Sequence, residues 1–279
     1  MTPYEQELRN NKSISTQRSQ LPNFPGRFLA FNGQTGNLGI FIPGNFDQIE
    51  KIDSIRFIVY FVMTRMAYHK PDGTTERSSY VIASSGDEAG ADTPYQITVD
   101  GVAYQGFTKR ELIDRIGIVN PKDIKRETIY VGYLVNINGE KANTAEPIWF
   151  VSRGTNEWLL NEAIKQDGGI SQKTMIQIRA EHKIHENENG GKSQVATFNV
   201  SELPDEKITG FAEYVNRDGM YDLLSDYKNK MAEAIKKILA NGNQAQIQPK
   251  FEETQSVGQV ATPFDDKEAF DISDDDLPF

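Results

Sequence analysis

Residues 55–67 read IRFIVYFVMTRMA, the most hydrophobic run in the chain and its strongest indication of fold class. A run of 13 residues would also suit a helix. Its composition is rich in Ile, Val, Phe and Tyr, however, and these residues favour extended structure. We therefore interpret it as one long, bent strand. The Pro-Asp-Gly triplet at residues 71–73 marks a turn that ends it.

Segments on both sides of this run also have the composition and alternation of strands. Residues 128–137 alternate apolar and polar side chains, and Asp100-Gly101 and Asn138-Gly139 are typical hairpin turns. The polar stretch ENENGG at 186–191 separates two further alternating segments. The predicted strands cover residues 27–31, 38–42, 55–67, 76–83, 95–99, 102–107, 128–137, 147–153, 174–184 and 192–200.

Three segments instead show helical signals. Thr108 caps a first helix that Asn120-Pro121 ends, and Thr155 or Asn156 caps a second that runs to about Gln166. Residues 220–240 carry one apolar stripe at helical spacing, and Asn241-Gly242 follows. We expect this stripe to pack on the β-structure; otherwise it would support self-association.

Short strands, marked turns and few helices predict a mainly β fold, an antiparallel barrel with insertions. We divide the chain into an N-terminal arm (1–26), a folded body (27–240), a linker (241–264) and an acidic end (265–279). The linker is rich in Gln and low in apolar residues, so we expect it to be disordered and flexible.

The charge of the chain is concentrated at one end. The net charge is -10, which taken alone argues against a polyanionic partner. Residues 251–279, however, carry 1 basic and 9 acidic side chains, whereas residues 1–250 carry 29 basic and 31 acidic ones. The body is therefore nearly neutral. Cys is absent, which excludes disulfides and thiolate chemistry, and no apolar run suits a membrane span, so we expect a cytoplasmic protein without membrane contact.

The chain ends DISDDDLPF, which closely resembles the acidic tip of bacterial single-stranded DNA-binding proteins. Phe279 offers a ring and the terminal carboxylate together, so a partner pocket with an Arg beside an apolar cleft would bind both. Clustered Asp residues would raise the association rate. The residues of this partner-binding tip are Asp274, Asp275, Asp276, Leu277, Pro278 and Phe279.

The resemblance implies a function for the whole chain. A body of OB-fold type would coat single-stranded DNA without sequence specificity, in replication, recombination and repair. The tip would recruit a polymerase, helicase, primase or nuclease. Because the body does not resemble the short bacterial proteins, we expect a bacteriophage protein acting in the cytoplasm of its host. Clustered Asp resembles a phosphate backbone in charge, so the tip would also compete with DNA for the body.

Strand positions predicted to face outward supply the candidate DNA contacts, because aromatic rings stack on bases and cations bind phosphates. Trp149 points opposite to its neighbours Ile148 and Phe150, and Tyr130 lies opposite the apolar face of its strand. The predicted DNA-binding residues are Arg56, Tyr60, Arg65, Tyr68, Tyr130, Trp149, Arg153, Lys173, Arg179 and Lys183.

Other chemistries find little support in the sequence. Gly191-Lys192-Ser193 lacks the earlier Gly of a phosphate loop, and on a strand His182 and His185 would point to opposite faces, so we expect no nucleotide or metal site. No catalytic constellation stands out, and we expect neither enzymatic activity nor a cofactor. Two other functions stay open: an adaptor that carries the tip without binding DNA, and a nucleic-acid enzyme that uses the tip for docking.

Overall fold

A computed structural model describes residues 21–41, 49–83, 93–141, 146–186 and 192–243. In these ranges the protein is mainly β with four helices, which confirms the predicted fold class at that level. The arm before residue 21, the linker beyond residue 243 and the acidic tip, including Asp274–Phe279, lie outside the described residues.

The elements follow the predicted order closely. The strands are β1 (Arg27–Phe31), β2 (Leu38–Phe41), β3 (Glu50–Ile52), β4 (Ser54–His69), β5 (Thr75–Arg77), β6 (Val81–Ala83), β7 (Tyr95–Val99), β8 (Val102–Gly106), β9 (Ile124–Ile137), β10 (Glu140–Lys141), β11 (Pro147–Ser152), β12 (Thr174–Glu186) and β13 (Lys192–Glu202). The helices are α1 (Lys109–Ile116), α2 (Gly154–Gln166), α3 (Asp205–Asn216) and α4 (Met220–Asn243).

Strand β4 is the predicted long strand, and it pairs with both β9 and β12. Most of its side chains are buried regardless of the direction in which they point. Phe57 and Val59 belong to one apolar cluster, whereas Phe61 and Met63 belong to another. Both faces of the strand are therefore covered, which explains why residues 55–67 form a nearly continuous apolar run instead of an alternating one.

The strands form one large sheet in the order β13-β12-β4-β9-β11-β1-β2-β3, with β5, β6 and β10 paired at its margins. This path has two end strands, and the sheet is not closed into a barrel, so the expected closure is wrong. The β12–β13 hairpin extends the sheet on one side of β4. In addition, β1 and β11 pair in parallel, so the sheet is not purely antiparallel.

The sheet nevertheless curves until distant parts meet. The loop after β1 reaches strand β13, where the backbone N–H of Gln194 donates to the carbonyl of Gly33 at 2.7 Å. Two residues further, the N–H of Ala196 donates to Oδ1 of Asn156 on α2 at 3.0 Å. The outer edge of β13 is thus covered at two positions by a loop and a helix.

Gly132 allows two central strands to approach each other closely. The pairing register between β4 and β9 shifts between Val59 and Phe61, and Gly132 lies opposite Val59. A Cβ at this position would lie 2.0 Å from the carbonyl oxygen of Ile58, so any other residue would push the strands apart.

Three apolar clusters hold the fold together. The first contains Phe57, Phe150 and Ile176 of the sheet with Leu160 and Ile164 of α2. The second covers the opposite face of the sheet, where the apolar stripe of α4 packs on Trp149 and its neighbours. The third joins β7 and α1 to the ends of β4 and β9. Because its stripe lies on the sheet, α4 follows the first of the two alternatives predicted for it.

Local signals account for most element boundaries. Asp100 and Gly101 have φ values of 50° and 81°, as a hairpin turn of the predicted kind requires. Thr108 caps α1 as expected, since its Oγ1 accepts from the N–H of Glu111 at 3.1 Å. The start of α2 differs from the prediction: Arg153 is its N-cap, without a capping side-chain hydrogen bond. Helix α3 was not predicted. In the described part of the chain, no helix has the length and apolar character needed to cross a bilayer.

Candidate nucleic-acid interface

An open groove of about 610 Å³ lies between α1 and α2, across the ends of β4 and β9. Its walls come from segments far apart in sequence that the fold brings together. The lining residues are Met66, Tyr95, Phe107, Thr108, Lys109, Lys125, Arg126, Gly154, Glu157, Trp158 and Asn161.

Two aromatic side chains of the groove are exposed to solvent. Phe107 precedes α1 and is 46% exposed, and Trp158 in the first turns of α2 is 56% exposed. The backbone N–H of Phe107 donates to Oε2 of Glu111 at 3.1 Å, which fixes the chain as it enters α1. An exposed ring in a groove has a free face, and a free face is what a nucleobase needs in order to stack.

Three cationic side chains lie in the same groove: Lys109 from α1, and Lys125 and Arg126 from the start of β9. Partial burial lowers the pKa of Lys109, and repulsion by Lys125 adds to this shift. The Nε of Arg126 lies 3.5 Å from Oε1 of Glu157, the carboxylate in the groove lining. Cations outnumber carboxylates in the lining, so the groove attracts anions.

The helix termini add to this attraction. Thr108 and Lys109 begin α1, and Gly154 begins α2, so the N-terminal ends of both helices border the groove. The free N–H groups and the macrodipole at a helix N-terminus favour negative charge nearby. Helix termini, cations and exposed rings thus occur together at one surface.

The floor of the groove is polar and buried. Glu157 accepts a hydrogen bond from Oγ1 of Thr128 at 2.6 Å. Burial raises the pKa of Glu157, and the bond from Thr128 and the nearby Arg126 oppose this shift. Ser152 lies opposite Thr128 on the neighbouring strand, and its buried Oγ has no hydrogen-bond partner among the described residues.

Two predicted base-stacking residues are not accessible. Trp149 does point away from Ile148 and Phe150, as expected, but it is only 1% exposed. Its ring lies between Phe24 and Tyr227, at centroid distances of 5.4 and 6.2 Å. Tyr130 is fully buried. The expectation that these two rings face solvent is wrong, because helices cover both faces of the sheet.

Arg65 and Arg153 meet around one buried carboxylate instead of facing outward. Nε of Arg65 donates to Glu127 at 2.5 Å, and Nε of Arg153 lies 2.9 Å from the other carboxylate oxygen. Arg77 lies 3.7 Å away, and Nη1 of Arg65 also donates to the hydroxyl of Tyr80 at 2.9 Å. Burial alone would raise the pKa of Glu127, but the three guanidinium groups outweigh burial and lower it to about 2.

The other predicted DNA-binding residues are dispersed over the body. Arg56 donates to Gln177 at 3.0 Å, and Tyr60 contacts Tyr133 and Tyr221 near α4. Tyr68 packs on the third apolar cluster. Lys173 pairs with Asp205 at 2.7 Å, at one end of β12.

Arg179 and Lys183 lie further along β12 and are exposed, on the two sides of a register shift. Lys183 pairs with Glu181 at 2.7 Å. Their hairpin touches the groove through His185, whose ring centroid lies 6.4 Å from that of Trp158. Within β12, Arg179 and Lys183 lie closer in sequence to His185 than Lys173 does. The predicted set as a whole forms no single surface.

Almost no local sequence signal marks the groove. Phe107, Lys109, Lys125 and Arg126 lie at the ends of elements, where neither strand alternation nor helical spacing marks a shared face. Helix capping at Thr108 was the one usable signal, since it places the following Lys at a helix start. In the described ranges, no group of three His, Asp or Glu side chains is arranged to hold a metal ion.

Comparisons of the chain with protein families, with curated proteins and with solved structures find no match.

Proposed function

We propose that this protein binds single-stranded DNA through the groove between α1 and α2, without requiring a defined sequence, and recruits replication and repair proteins through its acidic end. The observation that carries the proposal is the pair of exposed rings, Phe107 and Trp158, in a groove with three cationic side chains. Stacking and phosphate contacts are the two interactions on which non-specific single-strand binding depends. In a duplex the bases stack on one another and leave no free face for Phe107 or Trp158. Single strands are therefore preferred.

The proposal retains only part of the fold that the acidic tip implies. An OB-fold body would be mainly β, with a curved sheet and a helix against it, and the body here has these features. The open strand path departs from a closed barrel. The DNA-binding surface is therefore proposed from the groove itself and not from the position of a binding face in another fold.

A titration with a fluorescent thymine oligonucleotide tests the proposal directly. Affinity should fall steeply as salt rises, because phosphate contacts release counterions. Trp fluorescence should be quenched on binding, and replacing the exposed Trp158 by Phe should abolish the quenching while the buried Trp149 remains. Absence of binding at low salt, with residues 271–279 deleted, would contradict DNA binding and favour the adaptor function.

Charge removal in the groove identifies the binding surface. Replacing Lys109, Lys125 and Arg126 together by Met should reduce the slope of log affinity against log salt by about 2, since each single-strand phosphate contact contributes about 0.7. Lys236→Met on α4 removes one charge from an exposed position outside the groove and serves as the control. An unchanged slope in the triple variant would place DNA elsewhere on the body.

A further inference from the structure

The lining of the groove contains a nearly buried carboxyl group next to an exposed ring, an arrangement that phosphate binding and stacking do not need. Glu157 lines the groove with 10% of its side chain exposed, and Trp158 is the next residue. A carboxylate repels the phosphate backbone. In a groove that otherwise attracts anions, this carboxyl group suits a ligand group that donates hydrogen bonds.

The hydrogen bonds of Glu157 indicate which kind of ligand group could bind beside it. Oε1 accepts from Thr128 and lies near Nε of Arg126, at 2.6 and 3.5 Å. Both of these contacts involve Oε1, so Oε2 is the acceptor that we assign to a ligand. Asn161 lies one helical turn further on α2 and also lines the groove, and its amide can donate. The wall therefore offers a carboxylate acceptor and, about one turn away, an amide donor.

We propose, on the basis of the single-strand binding above, that Glu157 and Asn161 make the groove selective for guanine over thymine. The pairing edge of guanine presents two adjacent N–H donors and a carbonyl, which match a carboxylate and an amide N–H. Thymine presents one N–H between two carbonyl oxygens, and a carboxylate facing them meets like partial charges. Adenine offers a single amino donor and falls between the two. Glu157 is thus a specificity residue within a groove that still accepts any strand.

The selectivity is measured with thymine oligonucleotides of about 12 nucleotides, a length within the usual site sizes, in which a few thymines are replaced by guanine or by adenine. Sparse replacement avoids self-association of guanine tracts. The guanine oligonucleotide should bind about tenfold more tightly than the all-thymine one, since a matched base contact discriminates by that order. The adenine-containing oligonucleotide controls for the larger stacking area of a purine. Its affinity should exceed that of the all-thymine oligonucleotide by less than the affinity of the guanine-containing one does.

Glu157→Gln separates hydrogen bonding from stacking. The Gln amide keeps an acceptor for Thr128 and can also donate to thymine carbonyls, so the guanine preference should fall to about 1 while binding of all strands persists. Lys109→Met is the control, because it should weaken all oligonucleotides by the same factor.

Several outcomes would overturn the selectivity. If the wild-type protein binds guanine-containing and all-thymine strands with equal affinity, the proposed selectivity is wrong, and no variant is needed to show it. A preference retained in Glu157→Gln, or an adenine gain equal to that of guanine, would assign the effect to stacking. In each of these results the strands still bind, so single-strand binding survives. If no oligonucleotide binds at low salt, the proposed function itself fails, and the selectivity with it.

Discussion

Trp158 is the side chain through which the proposed DNA binding is most directly tested. Trp158→Ala should weaken binding of a thymine oligonucleotide by about 1 to 3 kcal/mol, the range for one stacked base. Its ring is more than half exposed, so the free energy of unfolding should change little. Fluorescence anisotropy with a labelled oligonucleotide measures the first effect. Tyr221→Ala removes a comparably exposed ring on α4 and should leave affinity unchanged.

Glu127 makes the stability of the body depend on pH. Its pKa in the folded protein is about 2, below the ordinary value, so the ionised form stabilises the fold at neutral pH. This contribution is lost as the pH falls from about 5 toward 2, because the folded state must then take up a proton against three guanidinium groups. Urea unfolding at several pH values should therefore show a decrease in stability over this interval.

Glu127→Gln should remove much of that pH dependence and destabilise the protein at neutral pH. Taking one partner from a buried ion cluster costs about 3 to 5 kcal/mol, since the remaining charges lose their compensation. The exposed Glu233→Gln on α4 is the matched control and should change neither stability nor its pH profile. A neutral-pH stability equal to that of the wild type would show that Glu127 does not hold the arginines together.

At the scale of elements, helix α4 stabilises the sheet by covering its outer face. Met231 lies in the apolar stripe and is buried against the second cluster. Met231→Ala should reduce the free energy of unfolding by about 2 to 5 kcal/mol, which urea denaturation measures. Lys237→Ala on the exposed side of the same helix should be nearly neutral. Loss of a dimer in Met231→Ala, without loss of stability, would instead support self-association through the stripe.

The elements themselves could be predicted from sequence, whereas the exposure of their faces could not. Alternation correctly placed Trp149 on the side of β11 opposite to Phe150. The alternation pattern could not show that α4 and Phe24 cover that side, because their contacts with Trp149 join residues far apart in the chain. Trp158 has no such cover, yet its helix shows nothing distinctive at that position. Local patterns thus specify direction, and tertiary packing decides which direction meets solvent.

At the scale of the whole molecule, helix α4 contacts strand β7, which also contributes one residue to the groove lining. Near the end of α4, the carbonyl of Ile238 accepts from Nε2 of Gln96 on β7 at 3.4 Å. The neighbouring residue Tyr95 lines the groove.

Deletion of residues 271–279 should raise affinity for single-stranded DNA, most strongly at low salt, because the clustered Asp side chains compete with phosphates. Replacing Asp274, Asp275 and Asp276 by Asn keeps the length of the chain and should reproduce the effect. Salt titrations of both variants against the wild-type protein measure it. Affinity that is unchanged at every salt concentration would exclude competition by the acidic end.

The covered edge of β13 has a consequence for the behaviour of this protein at high concentration. A large sheet with a long terminal strand offers a template on which a neighbouring molecule adds its own strand, the first step toward fibrils. Gly33 and Asn156 already occupy the N–H groups of Gln194 and Ala196. These two hydrogen bonds, one to a backbone carbonyl and one to a side chain, leave a neighbouring copy fewer free N–H groups with which to pair.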